Sequence, residues 1–205
     1  MCSFVFFNSN SVTGHSFGAA IATLFAVVAS AEVDSILPKP VTCVSFGSPA
    51  IGDQLFRQCH EILERLGNLR HIRVTNHMDL IPAFPIMAMS EFDTCYNLLF
   101  DEGSNVGTRY THAGINVKLR SQKDSFDVSY PKVGADYFEK IIQQWESSPI
   151  SNMSFNSWKG HMQYHQINIY SRRIAASKRV LKTIKLNDLY QWQEVVGDLC
   201  ARVWY

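Results

Sequence analysis

The stretch Gly14-His15-Ser16-Phe17-Gly18 places one serine between two glycines, and it decides the fold that we predict for this chain. Val12 and Thr13 precede it with the β-propensity of a strand end, and the small and apolar residues 19–26 follow it as in a buried helix. This is the G-x-S-x-G nucleophile-elbow pattern, a sharp turn that projects a serine hydroxyl clear of the backbone. The glycines let strand and helix meet without Cβ clashes. The backbone N–H of Phe17 would open the helix and point at a developing oxyanion.

Length and composition favour a single globular domain. The chain has 205 residues, of which 46% are hydrophobic and 18% are charged, so a sizeable core is possible. A net charge of +1 gives no general reason to expect nucleic acid as a partner. The five cysteines are scattered, without a C-x-x-C pair, which argues against a disulfide framework or a zinc site; Cys43 is expected in the core. No apolar run is long enough for a transmembrane helix, and the start is a poor signal peptide.

Strand and helix patterns alternate after the elbow. A helix over about 19–31 is followed by an apolar strand over 41–46 that reads as buried on both faces, a helix over 53–66 and a strand over 69–75. This alternation predicts an α/β fold with a mostly parallel sheet and helices on both faces. Further strands are predicted over 107–119 and 126–130, and helices over about 135–145 and 166–184.

Four segments in chain order resemble the class 3 (fungal-type) lipase family of α/β-hydrolases. They are residues 13–20 (TGHSFGAA), 45–53 (SFGSPAIGD), 73–82 (RVTNHMDLIP) and 110–114 (YTHAG). The likeness covers about residues 12–185. It implies hydrolysis of carboxylic esters of acylglycerols or phospholipids by a Ser–Asp–His triad, without a metal or organic cofactor. The implied partner is a lipid ester substrate, at a membrane or lipid-droplet surface.

The resemblance gives the serine an orienting acid and a base. Ser16 is a weak nucleophile until a base takes its proton, and in this fold the acid and then the histidine follow the serine in sequence. Asp79 follows a core strand and matches the family's Asn-x-x-Asp-x-(hydrophobic)-Pro motif. Asp53 is the competing acid, but it falls where a helix begins, so we expect it to cap that helix.

Two histidines fit the base. His165 matches the family pattern His-x-(Met/Ile)-x-x-Tyr through residues 165–170, and His161 matches the fungal form His-(aliphatic)-x-Tyr through residues 161–164. We favour His165 because it stands at the start of a predicted helix, and His161 remains the alternative. The other histidines are expected in packing, surface or core roles: His15 faces away from the site, His112 lies in a structural strand, and His60, His71 and His77 read as surface or core residues.

The resemblance also identifies parts that this chain does not contain. In the family a second oxyanion donor and a lid lie upstream of the serine, but only fifteen residues precede Ser16. We therefore expect one domain over 1–205 that is truncated at its N-terminus and lacks its N-terminal strands, with a helical tail over 186–205. The polar residues 8–11 also interrupt the apolar strand that should feed the elbow. Loss of one oxyanion donor typically costs about 10²–10³ in turnover.

Two further patterns have competing interpretations. Six cations and no acid occupy 172–185, which indicates either attraction to an anionic lipid surface or a solvated helix face, and we favour the second. Apolar residues near Asp79 would either line an acyl pocket or pack in the core: Ile81, Phe84, Ile86, Met87 and Met89.

Overall fold

The computed structural model describes residues 5–8, 10–32, 37–84, 110–129 and 160–183. Within these ranges six strands form one sheet, in the order in which they occur along the chain. The strands are β1 (Val5–Asn8), β2 (Ser11–His15), β3 (Val41–Phe46), β4 (Leu69–Asn76), β5 (Ile115–Leu119) and β6 (Phe126–Ser129). The helices are α1 (Phe17–Ala31), α2 (Gln54–Arg65) and α3 (Ile167–Leu181), with 3₁₀ turns at Ile81–Ala83 and Gln163–His165.

The sheet is mostly parallel, as the sequence predicts. Strands β2 to β5 pair in parallel, while β1 and β6 pair antiparallel at the two ends. Parallel neighbours require crossovers, and α1 and α2 provide them between β2, β3 and β4. The carboxyl ends of β2, β3 and β4 therefore lie at one edge, which is where sites form in open α/β sheets.

Helices cover both faces of the sheet. On one face, α1 and α2 close a core around Val12, Val41, Cys43 and Leu69. On the other face, α3 packs through Tyr170, Ile174 and Leu181 against β4, β5 and β6. The alternation of β3 matches this arrangement, because Val41 and Cys43 face α1 while Val44 and Phe46 face α3. Cys43 is fully buried, as expected, and burial raises its thiol pKa to about 12.

The polar residues before the elbow form a turn. Strand β1 folds back antiparallel on β2, with Asn8 opposite Ser11, so the interruption noted in the sequence is the tip of a hairpin. Strand β2 begins at Ser11 and carries the chain directly into the elbow.

Several predicted bounds need correction. The strand predicted over 107–119 begins only at Ile115, since Gly114 has φ +83° and its missing Cβ leaves room for His71 Nδ1, which a Cβ would approach to 2.6 Å. His112 accordingly lies before the strand and not within it. Helix α1 begins two residues earlier than predicted, at Phe17, and α3 ends at Leu181. The predicted helices over 135–145 and 186–205 lie outside the described residues.

No helix in the described part of the chain is long and apolar enough to cross a membrane.

Asp53 caps α2. Its side chain accepts a hydrogen bond from the backbone N–H of Phe56 at 2.9 Å, and the helix begins at the next residue, Gln54. This confirms the capping role expected from the sequence. The Asp53 side chain therefore serves the N-terminus of α2.

A buried polar network lies under α1 and α2. His71 on β4 contacts His60 Nε2 through Nδ1 at 2.9 Å and Ser45 Oγ through Nε2 at 2.9 Å. Glu64 accepts the backbone N–H of His71 at 3.2 Å, and its other oxygen lies 3.5 Å from His60 Nδ1. Burial, and then electrostatic interaction with His60 and Arg73, hold the pKa of His71 well below its ordinary value. The His71 side chain is therefore neutral in the folded protein.

We predict that Asp53→Ala lowers the free energy of unfolding by about 1 kcal/mol, because the first turn of α2 loses its side-chain acceptor. Urea denaturation measures the change. Asp53→Ser retains an acceptor and serves as the control, since it should recover most of the loss. Equal losses in both variants would contradict the capping role.

We also predict that stability falls as the pH drops below about 6.5. The unfolded chain protonates its histidines near that pH, while His71 stays neutral in the fold, so the unfolded state binds more protons. Each histidine held neutral contributes a slope of about 1.4 kcal/mol per pH unit below that value. The measurement is the unfolding free energy of the wild type between pH 7.5 and pH 5, compared with His71→Gln.

The slope should become shallower in His71→Gln and change less in His77→Gln, because the pKa of that exposed histidine is lowered less far. If His71→Gln does not fold, proton uptake on unfolding of the wild type at pH 5.5 gives the same information. A wild-type stability that does not change over this range would contradict the prediction.

Candidate active site

The turns after β2 and β3 are held together by backbone hydrogen bonds. The N–H of Ser16 donates to the carbonyl oxygen of Phe46 at 2.9 Å. The N–H of Gly47 donates to the carbonyl oxygen of Val74, on β4, at 2.9 Å. The residues that follow the central strands therefore lie side by side at the carboxyl edge of the sheet.

Ser16 occupies a strained turn. Its backbone has φ 60° and ψ −129°, a region that costs a non-glycine residue about 1–3 kcal/mol. Its carbonyl oxygen accepts the N–H of Ala19 at 3.0 Å, which starts α1 immediately after the turn. A Cβ on Gly14 would stand 2.3 Å from the carbonyl oxygen of Gly18, so strand and helix approach too closely for a side chain there. The turn has the geometry that the pentapeptide predicts.

Asp79 lies in the turn after β4. Its backbone N–H donates to the carbonyl oxygen of Asn76 at 3.1 Å, and its Oδ1 accepts the N–H of Ile81 at 2.9 Å. The carboxylate is fully buried. A buried carboxylate is stable only when hydrogen bonds replace its water, and this turn supplies the first of them.

His165 contacts the same carboxylate. Its Nδ1 lies 2.9 Å from Asp79 Oδ2 and 3.1 Å from Oδ1, although 86 residues separate the two in sequence. A carboxylate only accepts, so Nδ1 carries a proton, and in a neutral ring Nε2 then keeps its lone pair. That Nε2 is buried, and among the described residues it has no hydrogen-bond partner. The pair thus presents one basic nitrogen, oriented by the carboxylate on the opposite side of the ring.

Tyr170 completes the surroundings of the carboxylate. Its hydroxyl donates to Asp79 Oδ2 at 2.5 Å and accepts the backbone N–H of Asn76 at 3.2 Å. The side chain is fully buried, and burial together with the Asp79 charge raises its pKa well above the ordinary value. Tyr170 therefore stays protonated and remains a donor. Tyr170 is the last residue of the motif that begins at His165, but the motif did not by itself predict the hydrogen bond to Asp79.

Gly47 leaves space for this cluster. It has φ +57°, and a Cβ there would lie 2.9 Å from Asp79 Oδ2, 2.9 Å from the Tyr170 hydroxyl and 3.0 Å from His165 Cε1. A side chain at this position would push the acid, the tyrosine and the histidine apart.

His15 was expected to face away from the site, and this was wrong. Its Nε2 lies 2.7 Å from the carbonyl oxygen of His165, and the two rings lie 4.6 Å apart between centroids. Because a carbonyl only accepts, Nε2 of His15 is protonated and donates. Burial is the main cause of its lowered pKa, which keeps the ring neutral. His15 is directed toward the His165 backbone because alternate residues of β2 face the α3 side of the sheet.

The alternative histidine lies beside the acid turn. His161 is half-buried, and its Nδ1 is 3.4 Å from the carbonyl oxygen of Met78. His112, which shares the Tyr-Thr-His-Ala-Gly motif, contacts the carbonyl oxygen of Pro82 through Nε2 at 2.7 Å. It therefore fastens the 3₁₀ turn that follows Asp79.

Asn76 joins the end of β4 to both segments that flank His165. Its Nδ2 donates to the carbonyl oxygen of Tyr164 at 2.9 Å, and its Oδ1 accepts from Arg173 at 3.3 Å. Asn76 is the first residue of the Asn-x-x-Asp motif, so the sequence could have marked it as a site residue. Its contacts could not be predicted, because they depend on the position of α3.

The proposed acyl-pocket residues are described only in part. Ile81 and Phe84 are half-buried, and the backbone N–H of Ala50 donates to the carbonyl oxygen of Phe84 at 2.8 Å. Ile86, Met87 and Met89 lie outside the described residues.

Comparisons with known proteins agree with this architecture. The family model for lipase (class 3) matches residues 8–89, which include the elbow and the Asp79 turn. The chain is 39% identical over 84 residues to phospholipase A1-II 4 of Oryza sativa subsp. japonica, a match that covers 40% of this chain and 20% of that protein. Against phospholipase A1-II 2 of Oryza sativa subsp. indica it is 41% identical over 101 residues, covering 45% and 24%.

Phospholipase A1-IIbeta of Arabidopsis thaliana is 38% identical over 87 residues, covering 40% of this chain and 20% of the relative. The chain thus matches about a fifth to a quarter of the length of these relatives. Among solved structures, the lipase from Rhizopus microsporus var. chinensis superposes with a TM-score of 0.44 at 19% identity, over 64% of this chain and 38% of that one. The match of residues 8–89 to the lipase (class 3) family model and the similarity to plant phospholipases A1 both support the resemblance to the class 3 lipase family found in the sequence.

Proposed function

We propose that this protein hydrolyses carboxylic esters of lipids through a covalent acyl-enzyme, with Ser16 as nucleophile, His165 as base and Asp79 as orienting acid. The observation that carries the proposal is the Asp79–His165 pair, whose Nε2 is buried without a partner among the described residues. This pair lies at the same sheet edge as the strained Ser16 turn.

The two half-reactions follow from these atoms. His165 Nε2 accepts the hydroxyl proton of Ser16 while the serine oxygen attacks the ester carbonyl. The imidazolium then gives that proton to the leaving alcohol, and an acyl-serine ester remains. Water repeats the sequence, losing a proton to Nε2, and the fatty acid leaves with Ser16 restored. Asp79 stays ionised throughout, because its role is to hold the ring and stabilise the imidazolium.

The first turn of α1 supports the negative charge that develops on the ester oxygen. The first N–H groups of a helix have no acceptor within the helix, and Phe17 is the first residue of α1. Its N–H follows the nucleophile directly, which is the position of an oxyanion donor in this type of elbow.

The assignment of the base rests on contacts to the acid. His165 bonds both oxygens of Asp79, whereas the described contact of His161 is a backbone carbonyl, at 3.4 Å. A base needs a partner that fixes its tautomer, and a carboxylate also stabilises the charged form. We therefore assign the base to His165.

Two substrate classes fit this chemistry, acylglycerols and phospholipids. Acylglycerol hydrolysis is the broader expectation from the family, while the plant relatives are named phospholipases A1. Fatty-acid release from a triacylglycerol emulsion and from phospholipid vesicles, measured with the same protein sample, distinguishes the two.

A fluorophosphonate probe tests the proposed nucleophile. We predict covalent labelling of the wild type on Ser16 and none of Ser16→Ala, because the probe reacts only with a serine whose proton has an acceptor. In parallel, His165→Ala should lower ester turnover by about 10³-fold or more. His161→Ala is the matched control and should lose less than tenfold.

Absence of labelling in folded wild-type protein would overturn the enzymatic proposal and favour a lipid-binding relative without turnover. Equal, mild losses in the two histidine variants would instead overturn the assignment of the base.

We further predict that Tyr170→Phe lowers kcat about tenfold and leaves KM nearly unchanged. The variant removes a hydrogen bond to the charged Asp79, of a kind worth about 1.5–3 kcal/mol, without removing the aromatic ring from the core. Steady-state kinetics on a soluble short-chain ester measure the effect. Because Asp79 would hold the ring less firmly, the acidic limb of the pH–rate profile should also shift.

Tyr164→Phe is the matched control. Tyr164 contributes a backbone carbonyl to Asn76 and a ring under Arg173, and phenylalanine keeps both. The role of Tyr170 would be contradicted if the two variants behaved alike.

A further inference from the structure

Helix α3 and its C-cap are strongly basic. Residues 167–182 contain five cations and no acid, and four of the cations are exposed: Arg172, Lys178, Arg179 and Lys182. The fifth, Arg173, is half-buried and is held by Asn76 Oδ1 and the ring of Tyr164. The exposed cations are therefore separate from the contacts that build the site.

The apolar side of α3 is already used by the fold. Tyr170 and Ser177 are buried, and Ile174 and Leu181 pack against the sheet. Apart from Ile167 at its first position, α3 has no large exposed hydrophobic residue, so binding to its outer side must act mainly through charge.

The positive charge is concentrated in one part of the molecule. The described residues 110–129 and 160–183 carry eight Lys or Arg and two Asp, whereas the described residues between 10 and 84 carry five of each sign. One of the two aspartates, Asp127, is paired with Arg120. The described part of the chain is thus strongly polarised in charge.

Cations also lie close to the sheet edge that carries the site. The pKa of His77, two residues before Asp79, is lowered by partial burial and then by Lys118, Arg120 and Arg173. These cations come from β5, the turn after it and α3. The basic region therefore adjoins the turn that positions the acid.

We infer that the outer face of α3 is an electrostatic docking surface for an anionic lipid bilayer. The inference rests on the proposed function, because a lipid surface is the partner that a lipid ester hydrolase must approach. Helix α3 begins at Ile167, two residues after His165, so its outer face extends away from the edge that carries Ser16. An anionic surface offers the extended negative charge that four separated cations can engage together.

Surface binding of this kind has a defined magnitude and salt dependence. Each Lys or Arg near an anionic surface contributes about 1 kcal/mol, so two substitutions should weaken partitioning about 30-fold. Because the Debye length falls from about 8 Å at 0.15 M salt to about 3 Å at 1 M, binding should be reversed by salt.

The test is co-sedimentation of the full chain with vesicles of phosphatidylcholine alone or with 30% phosphatidylserine. The variant is Arg172→Gln with Arg179→Gln, and the matched control is Lys39→Gln with Arg70→Gln, which removes two exposed cations elsewhere. We expect binding only to the anionic vesicles, a loss of about 30-fold in the α3 variant, less than threefold in the control, and release by 1 M salt.

Three outcomes would each overturn the inference. The protein could bind both vesicle types equally, or the two variants could lose binding equally. The protein could also bind an immobilised polynucleotide but no vesicles. The assay is run on Ser16→Ala as well, so binding is measured without turnover. The α3 variant should hydrolyse a soluble ester at the wild-type rate. Absence of that hydrolysis in every form would refute the proposed function, while the vesicle result would still decide the docking surface.

Discussion

The buried carboxylate of Asp79 is the point on which the carboxyl edge of this protein depends. It accepts hydrogen bonds from the N–H of Ile81, from His165 Nδ1 and from the Tyr170 hydroxyl. These donors come from the turn after β4, the 3₁₀ turn before α3, and α3 itself. An ion at such depth is tolerated only while its hydrogen bonds are made, so the position of α3 on the sheet and the orientation of the histidine are fixed together.

Close approach is the second requirement, and glycine meets it at two places. At Gly14 the backbone of α1 occupies the space that a Cβ would need, and at Gly47 the side chains of Asp79, His165 and Tyr170 occupy it. Gly14 lies two residues before Ser16, and Gly47 follows Phe46, whose carbonyl oxygen accepts the N–H of Ser16. The fold therefore accepts strain at Ser16 itself and avoids it at the neighbouring positions, which concentrates the unfavourable backbone energy where the hydroxyl must project.

Local patterns predicted most of this architecture. The bounds of β3 and the cap at Asp53 were read correctly, because alternation, helical periodicity and capping chemistry are encoded over a few residues. The strand β5 was predicted too long because Gly114 has a positive φ that depends on contact with His71. The role of His15 was misjudged because its partner on that side of the sheet, the His165 backbone, lies 150 residues away in sequence. The hairpin of β1 and β2 was missed because its polar turn was read as an interruption.

Among the described residues, two histidine side chains lie beside a carboxylate, and the two groups differ in which ring nitrogens are engaged. In the interior, Glu64 lies beside His60, and His60 contacts His71, which contacts Ser45. This resembles a triad in its residue types, yet both nitrogens of His71 are engaged and the group lies within the α1–α2 face of the sheet. At the edge, His165 uses one nitrogen for Asp79 and keeps the other without a described partner. His71 and the proposed base therefore differ in one ring nitrogen that has no described partner at the sheet edge, and no spacing rule encodes that difference.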